Sequence, residues 1–200
     1  MYVQGTDSST TLLLLHGTGG NENDLLPLAK IIAPNASVLA VRGNVLENGM
    51  PRFFKRLSPG VFDQQDLILR TQELKEFLNF ASVKYGFGSN SLVAVGYSNG
   101  ANIAASLLLS CKGVLKAAIL HHPMVPIRDI APPNLAKVPI FIGAGTNDSI
   151  CPPQQAEELE SMFTNAGADV YVHWENNGHN LTNSEVVAAK AWFDARNWAV

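Results

Sequence analysis

The chain has 200 residues, of which 46% are hydrophobic and 16% are charged, and its formal net charge at pH 7 is −3. This length and composition are typical of one domain with a sizeable core, so we expect a single domain over residues 1–200. The lack of any basic cluster argues against nucleic acid and against a membrane surface as a partner. With two cysteines far apart and no apolar leader in the sequence, we expect a cytoplasmic protein.

Short apolar runs alternate with segments of helical periodicity along the chain. The runs are apolar throughout, as in strands that are buried on both faces. The predicted strands cover residues 11–15, 37–41, 92–95, 117–120, 140–142 and 170–174. This alternation predicts an α/β protein with a mostly parallel central sheet and helices on both faces. Ligands of such sheets bind beyond the carboxyl ends of the strands, so the loops after the strands are where chemistry is expected.

The helical segments between these strands carry their own start and stop signals. Asp24 is placed to cap a short helix that ends at Ile32. Two further apolar stripes have helical spacing, one ending before Gly86 and one beginning near Pro153. The run T-N-S-E at 182–185 is the pattern of a capping box and predicts the start of the last helix.

The loop after the first strand reads H-G-T-G-G at 16–20 and is of the H-G-x-G type that supplies an oxyanion donor. Its glycines let the backbone bend, so we expect the backbone N–H of Thr18 to point into a site. His16 is expected to hold this loop by hydrogen bonds rather than to act directly.

The longest irregular stretch, residues 42–62, follows the second strand and must pass over the same rim of the sheet. Its apolar residues Met50, Phe53 and Phe54 are candidates for the wall of a substrate pocket. The equal alternative is that they fill a minor core beneath the loop. Arg42 and Arg52 either tie the loop down, which is the favoured interpretation, or meet an acidic group of a substrate.

The strand predicted at 92–95 runs directly into G-Y-S-N-G at 96–100, and an Ala- and Leu-rich helical segment follows at once. Strand, sharp turn and helix in this order are the context in which G-x-S-x-G forms a nucleophile elbow. Ser98 is therefore the candidate nucleophile. The backbone N–H of Asn99, at the start of the helix, is the second candidate oxyanion donor.

Two later loops supply the residue types that a serine nucleophile requires. Asp148 follows the strand at 140–142, and His179 follows the strand at 170–174. A histidine takes the proton of the attacking hydroxyl, and a carboxylate orients the imidazole, so the order Ser, Asp, His predicts a catalytic triad. His122, at the end of another strand, is a candidate for the wall of the substrate pocket.

The remaining signals limit what else the site needs. No histidine falls in a zinc-binding spacing, so we expect neither a metal nor a cofactor. Cys151 is interpreted as a buried loop thiol. The interval 121–138 is too short for a lid domain and is stiffened by prolines, which predicts an open, shallow cleft.

Several motifs together resemble a known family. They are L-H-G-T-G-G-N-E-N-D-L-L-P-L-A, R-G-N-V-L-E-N-G-M-P-R-F-F, G-Y-S-N-G-A-N-I-A, H-H-P-M, G-T-N-D and G-H-N-L-T. The chain resembles the phospholipase/carboxylesterase family of α/β-hydrolases, relatives of the acyl-protein thioesterases, and most of all the bacterial carboxylesterases associated with hydroquinone or quinone resistance. The resemblance implies an α/β-hydrolase fold without a lid domain and the triad Ser98, Asp148 and His179. Thioesterase relatives usually carry Gln where Asn99 stands, and the related dienelactone hydrolases use a cysteine where Ser98 stands.

These observations predict a serine hydrolase that cleaves small carboxylic esters or thioesters through an acyl-enzyme. One alternative is a lysophospholipase or acyl-protein thioesterase, which needs a long apolar groove. A second alternative is a ligand receptor built on a hydrolase scaffold, against which the intact triad argues. The sequence does not indicate the oligomeric state.

Overall fold

Strands make up the centre of the computed structural model, which describes residues 1–88 and 91–198. In chain order they are β1 (Tyr2–Val3), β2 (Asp7–Leu15), β3 (Ala36–Val41), β4 (Val45–Glu47), β5 (Met50–Arg52), β6 (Arg56–Ser58), β7 (Val61–Phe62), β8 (Leu92–Tyr97), β9 (Ala117–His121), β10 (Pro139–Gly145) and β11 (Asp169–Glu175). Seven of them form one sheet in the order β1-β3-β2-β8-β9-β10-β11. All neighbours in this sheet are parallel except β1, which pairs antiparallel with β3.

Helices cover both faces of this sheet, as the sequence pattern predicts. They are α1 (Leu26–Ile32), α2 (Gln64–Tyr85), α3 (Asn99–Ser110), α4 (Pro153–Asn165) and α5 (Asn183–Asp194). Alternate leucines of β2 enter different cores. Leu12 and Leu14 pack with residues of α1 and α5, whereas Leu13 and Leu15 pack with residues of α2, α3 and α4. Each inner strand is therefore buried on both sides, which is why its sequence is apolar throughout.

The six strands expected from the sequence are all present, and each of them extends beyond the predicted residues. The prediction missed β1 and the two small hairpins that divide residues 43–62. The turn of the β4–β5 hairpin is Asn48-Gly49, with φ of 51° and 80°. Asn-Gly is the preferred pair for such a left-handed turn, so this hairpin had a readable signal.

Asp24 does not cap α1, contrary to expectation. Leu25 occupies the N-cap position without a side-chain bond. The Asp24 carboxylate instead accepts hydrogen bonds from the backbone and side-chain amides of Asn21. Asp24 therefore stabilises the turn before the helix. At α5 the prediction is confirmed, since the Thr182 side chain accepts from the backbone N–H of Glu185.

The loops that carry candidate chemistry lie at one rim of the sheet. Parallel strands deliver their carboxyl ends to the same edge, and β8, β9, β10 and β11 are neighbours in the sheet order. In the part of the chain that the structure describes, no helix combines the length and apolar character needed to cross a membrane.

Candidate active site

Ser98 lies at the tip of a strained turn between β8 and α3. Its φ of 52° and ψ of −113° are unfavourable for a residue with a side chain. The flanking glycines make this turn possible. A Cβ on Gly100 would lie 1.9 Å from the carbonyl oxygen of Leu15, and a Cβ on Gly96 would lie 2.7 Å from the backbone of Ala101. The G-x-S-x-G pattern therefore follows from close backbone packing, which holds the Ser98 hydroxyl out from the sheet.

The structure brings the three predicted triad residues within hydrogen-bonding distance of one another. The Oγ of Ser98 is 2.9 Å from Nε2 of His179, and Nδ1 of His179 is 2.7 Å from Oδ2 of Asp148. The Tyr97 hydroxyl donates to the backbone carbonyl of His179 over 2.6 Å. These contacts hold the imidazole between a hydroxyl and a carboxylate.

The Asp148 carboxylate is almost fully buried, and both of its oxygens are hydrogen bonded. Oδ1 accepts from the backbone N–H groups of Ile150 and Cys151, each at 2.8 Å. Oδ2 accepts from His179 and, at 3.1 Å, from Nδ1 of His122. Burial alone would raise the pKa of Asp148, but the donors from Cys151, His179 and Ile150 outweigh it and lower the pKa. Asp148 is therefore an ionised acceptor with a fixed orientation.

Behind Asp148 lies a network of buried side chains that the sequence did not reveal. Glu185 is 0% exposed, and its Oε1 and Oε2 lie 2.5 Å from Nδ1 of His121 and 3.0 Å from Nε2 of His122. Burial opposes the charge of Glu185, but the two histidines outweigh it and hold its pKa at about 2. Burial likewise opposes the charge of His122, and hydrogen bonds and attraction from Glu185 and Asp148 raise its pKa above the usual range.

The prediction that His122 lines the substrate pocket is therefore wrong. The side chain is 1% exposed and lies beneath the triad, because the carboxylates of Asp148 and Glu185 draw both ring nitrogens inward. The available signal was a pair of histidines at a strand end together with a capping-box glutamate. Nothing in the sequence places that glutamate beside the strand.

A cleft of about 390 Å³ opens to solvent above Ser98. The lining comes from the loop at 16–20, the hairpins within 43–62, the start of α3 and the loops after β9 and β10. It includes Thr18, Arg56, Phe62, Asn99, Met124 and Ile150. Of the two alternatives for Phe53 and Phe54, the cleft wall is wrong and the core is confirmed, since they are 5% and 0% exposed and lie in the core below. Met50 is 40% exposed but packs near Gly19, outside the cleft lining.

Both candidate oxyanion donors border the cleft together with Ser98. Asn99 is the first residue of α3, where the helix offers no carbonyl partner for a backbone N–H. Thr18 lies in a loop that His16 holds, as predicted. Nδ1 of His16 donates to the carbonyl oxygen of Gly17, and its Nε2 accepts from the backbone N–H of Gly43. Burial lowers the pKa of His16, which favours the neutral ring that this pattern requires.

Residues 43–62 form the rim segment of the cleft, and the side chains of Asn99 and Arg52 hold it in place. Oδ1 of Asn99 accepts from the backbone N–H of Phe53 over 2.7 Å, which turns the Phe53 ring inward against His16. Nη1 of Arg52 donates to Oγ1 of Thr18 over 2.6 Å, and its Nε donates to the carbonyl oxygen of Phe54. Arg52 is therefore a buried tie, as favoured from the sequence, whereas Arg42 pairs with Glu22 at the surface.

The ligand-type atoms of His122, Asp148 and His179 lie within 4.8 Å of one another, which is the spacing of a possible metal site. Each ring nitrogen of the two histidines already has a hydrogen-bond partner in this arrangement. The three side chains are thus linked by hydrogen bonds through Oδ2 of Asp148. Cys151 is buried beside this cluster, as predicted, and burial raises the pKa of its thiol.

Comparisons with known proteins agree with this geometry. The model of the dienelactone hydrolase family matches residues 57–199. A Bacillus subtilis protein described as a hydrolase, MhqD, is 56% identical over 96% of each chain. An acyl-protein thioesterase 1 of Cryptococcus neoformans is 26% identical over 71% of this chain and 67% of its own length. The crystal structure of the Bacillus cereus carboxylesterase has a TM-score of 0.96 and 60% identity, and the match covers 98% of this chain and 92% of that one. The predicted family resemblance and the α/β-hydrolase fold are confirmed.

Proposed function

Since this chain belongs to the dienelactone hydrolase family, we propose that it is a serine hydrolase that cleaves small carboxylic esters or thioesters through an acyl-enzyme intermediate. The observation that carries this proposal is the line of hydrogen bonds from Ser98 through His179 to Asp148 at the floor of an open cleft. Ser98 corresponds to the nucleophile, so the chemistry is that of a serine rather than of a cysteine enzyme.

In the first step, Oγ of Ser98 attacks the carbonyl carbon of the ester while Nε2 of His179 accepts the hydroxyl proton. The carboxylate of Asp148 keeps Nδ1 of His179 protonated and stabilises the imidazolium that forms. The same proton then passes from Nε2 to the leaving alcohol or thiol as the carbon–oxygen or carbon–sulfur bond breaks. A water molecule then gives a proton to Nε2 of His179 and attacks the acyl carbon. The bond between that carbon and Oγ breaks as Oγ takes the proton back from His179, which releases the acid and restores Ser98.

The negative charge on the carbonyl oxygen needs donors during attack. The backbone N–H groups of Thr18 and Asn99 are assigned this role because both residues line the cleft together with Ser98. Asn99 begins α3, so the positive end of the helix dipole also favours charge at this point. No cofactor or metal takes part in this scheme.

A second candidate is thioesterase or lysophospholipase activity. It is supported by the relationship to the acyl-protein thioesterase and by apolar side chains that border or flank the cleft, including Phe62, Met124 and Ile150. A series of p-nitrophenyl esters of increasing acyl length separates the two. Small-ester activity predicts that kcat/KM is highest for short acyl groups, and a rise toward long chains selects the alternative.

We also place the protein in the cytoplasm. The support is that both cysteines are free and buried, which suits a reducing compartment. Fractionation of the source cell with an antibody against the chain tests this placement.

The test of the proposal combines Ser98→Ala with mass spectrometry on a slow activated ester. Wild type should gain an acyl mass on the Ser98 peptide, and the variant should lose roughly 10⁴-fold or more in kcat. Ser110→Ala, an exposed position at the far end of the same helix, is the matched control and should keep wild-type turnover. Undiminished turnover in Ser98→Ala, or tight binding of esters without product, would overturn the proposal.

A further inference from the structure

The hydrogen bonds of the triad do not end at Asp148. They continue through His122 and Glu185 to His121, so imidazoles and carboxylates alternate along one line. The three added side chains are 0–1% exposed, which keeps water from competing for their hydrogen bonds. The reaction described above uses none of the three, although a buried charged cluster is costly to build.

The geometry defines the charge of His122. Its Nδ1 faces Oδ2 of Asp148 and its Nε2 faces Oε2 of Glu185. An ionised carboxylate only accepts hydrogen bonds, so both ring nitrogens must carry a proton and the ring is a cation. His121 differs, because Nδ1 bonds Glu185 while its buried Nε2 has no hydrogen-bond partner within residues 1–88 and 91–198. A neutral ring leaves no unpaired N–H at that nitrogen.

The backbone is shaped to accept this pair. A Cβ on Gly143 would lie 1.8 Å from Oε1 of Glu185, so only glycine leaves room for the carboxylate. His122 adopts a left-handed φ of 51°, and its backbone N–H donates to the carbonyl oxygen of Gly143 over 2.7 Å. Thr182 holds the backbone of Glu185 at the start of α5 while the side chain turns into the core. A glycine on β10 that leaves space for the Glu185 carboxylate and a left-handed residue directly after the neighbouring β9 indicate a built arrangement.

Resting on the proposed function, we propose that the ion pair of Glu185 and His122 is a positioning device for Asp148. The His122 cation occupies the second acceptor direction of Oδ2, which fixes the carboxylate against His179. The same cation also weakens the electrostatic stabilisation that the Asp148 carboxylate gives to protonated His179.

The weaker stabilisation of protonated His179 follows from the short distance between the two histidine rings. The rings of His122 and His179 have centroids 5.2 Å apart, so the charge on His122 repels the charge that His179 acquires in the reaction. Glu185 bonds the other ring nitrogen of His122, and its negative charge offsets the cost of burying the His122 cation. Among the residues that the structure describes, the other titratable groups that interact with Asp148 are the Tyr97 hydroxyl and the Cys151 thiol, and burial raises the pKa of both, which keeps them neutral. The charge on His122 therefore favours transfer of the proton from His179 to the leaving group.

Glu185→Gln tests this role without changing the shape of the side chain. The amide oxygen accepts from His121, and the amide nitrogen donates to Nε2 of a now neutral His122, whose Nδ1 still donates to Asp148. The cation next to Asp148 is then gone. We expect the acid limb of the kcat/KM profile to move to higher pH by about 1 unit. A limb that stays in place, or moves to lower pH, would overturn the inference.

Glu158→Gln is the control. It removes the partner of Arg128 in an exposed ion pair, with Nε of Arg128 at 2.7 Å from Oε1 of Glu158, and this pair at α4 does not include any residue of the buried network. Its profile should coincide with that of wild type. A shift equal to that of Glu185→Gln would show that any lost carboxylate has this effect and would overturn the inference.

A measurement on wild type decides the matter even where the variant does not fold. Nitrogen NMR of ¹⁵N-histidine should show both ring N–H groups of His122 retained at pH 8, and one of them lost in Glu185→Gln. A neutral His122 in wild type at pH 7 would overturn the inference. This readout does not depend on turnover, so a protein that fails to cleave esters would contradict the proposed function and leave the charge of His122 measurable.

Discussion

On one side of the cleft, Asp148 and Glu185 are 3% and 0% exposed, and each carboxylate oxygen has a partner of its own. On the other side, the rim segment exposes Leu46 and Leu57 by 70% and 72% while Phe54 is fully buried. The first side offers its charges no alternative partners, so its geometry is fixed. The rim depends on a few side-chain to backbone bonds. We therefore expect the buried side to hold the triad and the rim to influence substrate choice.

The strongest way to break the rigid side is Asp148→Asn. The amide oxygen can face either the two histidines or the backbone N–H groups of Ile150 and Cys151, so in both orientations the amide NH2 group meets donors. We expect kcat to fall by about 10⁴-fold with little change in KM, because the base loses its correct tautomer. Steady-state kinetics on an activated ester measures both. Asp169→Asn, which removes an exposed ion pair with Arg196, should retain full activity. A rise in KM with unchanged kcat would contradict the assignment of the chemistry to the buried side of the cleft.

Acid denaturation measures how much the buried charges stabilise the fold. The pKa of Glu185 is held at about 2 against an ordinary value of 4.5, so its contribution is complete above pH 4.5 and is lost as pH falls toward 2. The expected loss is on the order of 3 kcal/mol in the free energy of unfolding. Urea unfolding between pH 7 and pH 2 should show this decline in wild type and a flatter curve in Glu185→Gln.

The control for this experiment is Glu157→Gln on the exposed face of α4, which should keep the wild-type slope. Parallel curves for wild type and Glu185→Gln would contradict the assignment of this stability to the buried pair.

Asn99→Ala tests the rim. It removes the acceptor for the backbone N–H of Phe53 but keeps the Asn99 backbone donor. We expect the free energy of unfolding to fall by about 1–3 kcal/mol, because a buried N–H is left unpaired. KM should rise and kcat should change little. Chemical unfolding and steady-state kinetics measure the two effects.

Asn102→Ala is the matched comparison, since Asn102 lies on the same helix and its Oδ1 accepts from the backbone N–H of Met124 on the other wall. The two variants should alter the preference among ester substrates differently, because they loosen different walls. A fall in kcat for Asn99→Ala as large as that of Asp148→Asn would remove the distinction between the two sides of the cleft.

The triad was predictable because its three residues follow strands of one parallel sheet. Apolar runs identified β8, β10 and β11, and parallel strands bring their carboxyl ends to one edge. The glycines around Ser98 added a local signal, since backbone packing at Gly96 and Gly100 leaves no room for a side chain. The apolar runs and the glycines are each contained in a short stretch of the chain, so both can be recognised from the sequence.

The inward turn of Phe53 and Phe54 was not predictable in the same way. An apolar residue in an irregular segment serves equally well in a core or in a cleft wall, and the choice depends on the path of the backbone. Here the Asn99 side chain, 46 residues away in the chain, draws Phe53 inward. Only the hairpin turn at Asn48-Gly49 carried a local pattern in this segment.

The sequence by itself determined the strained serine turn, the order of nucleophile, acid and base, and the sheet edge at which they meet. The tertiary structure alone decided that Glu185 leaves its helix cap to face His122, 63 residues earlier in the chain. Hydrophobic periodicity and turn preferences act between near neighbours, so they can be read along the chain. A buried charge, by contrast, takes whichever partner the packed core brings within hydrogen-bonding distance.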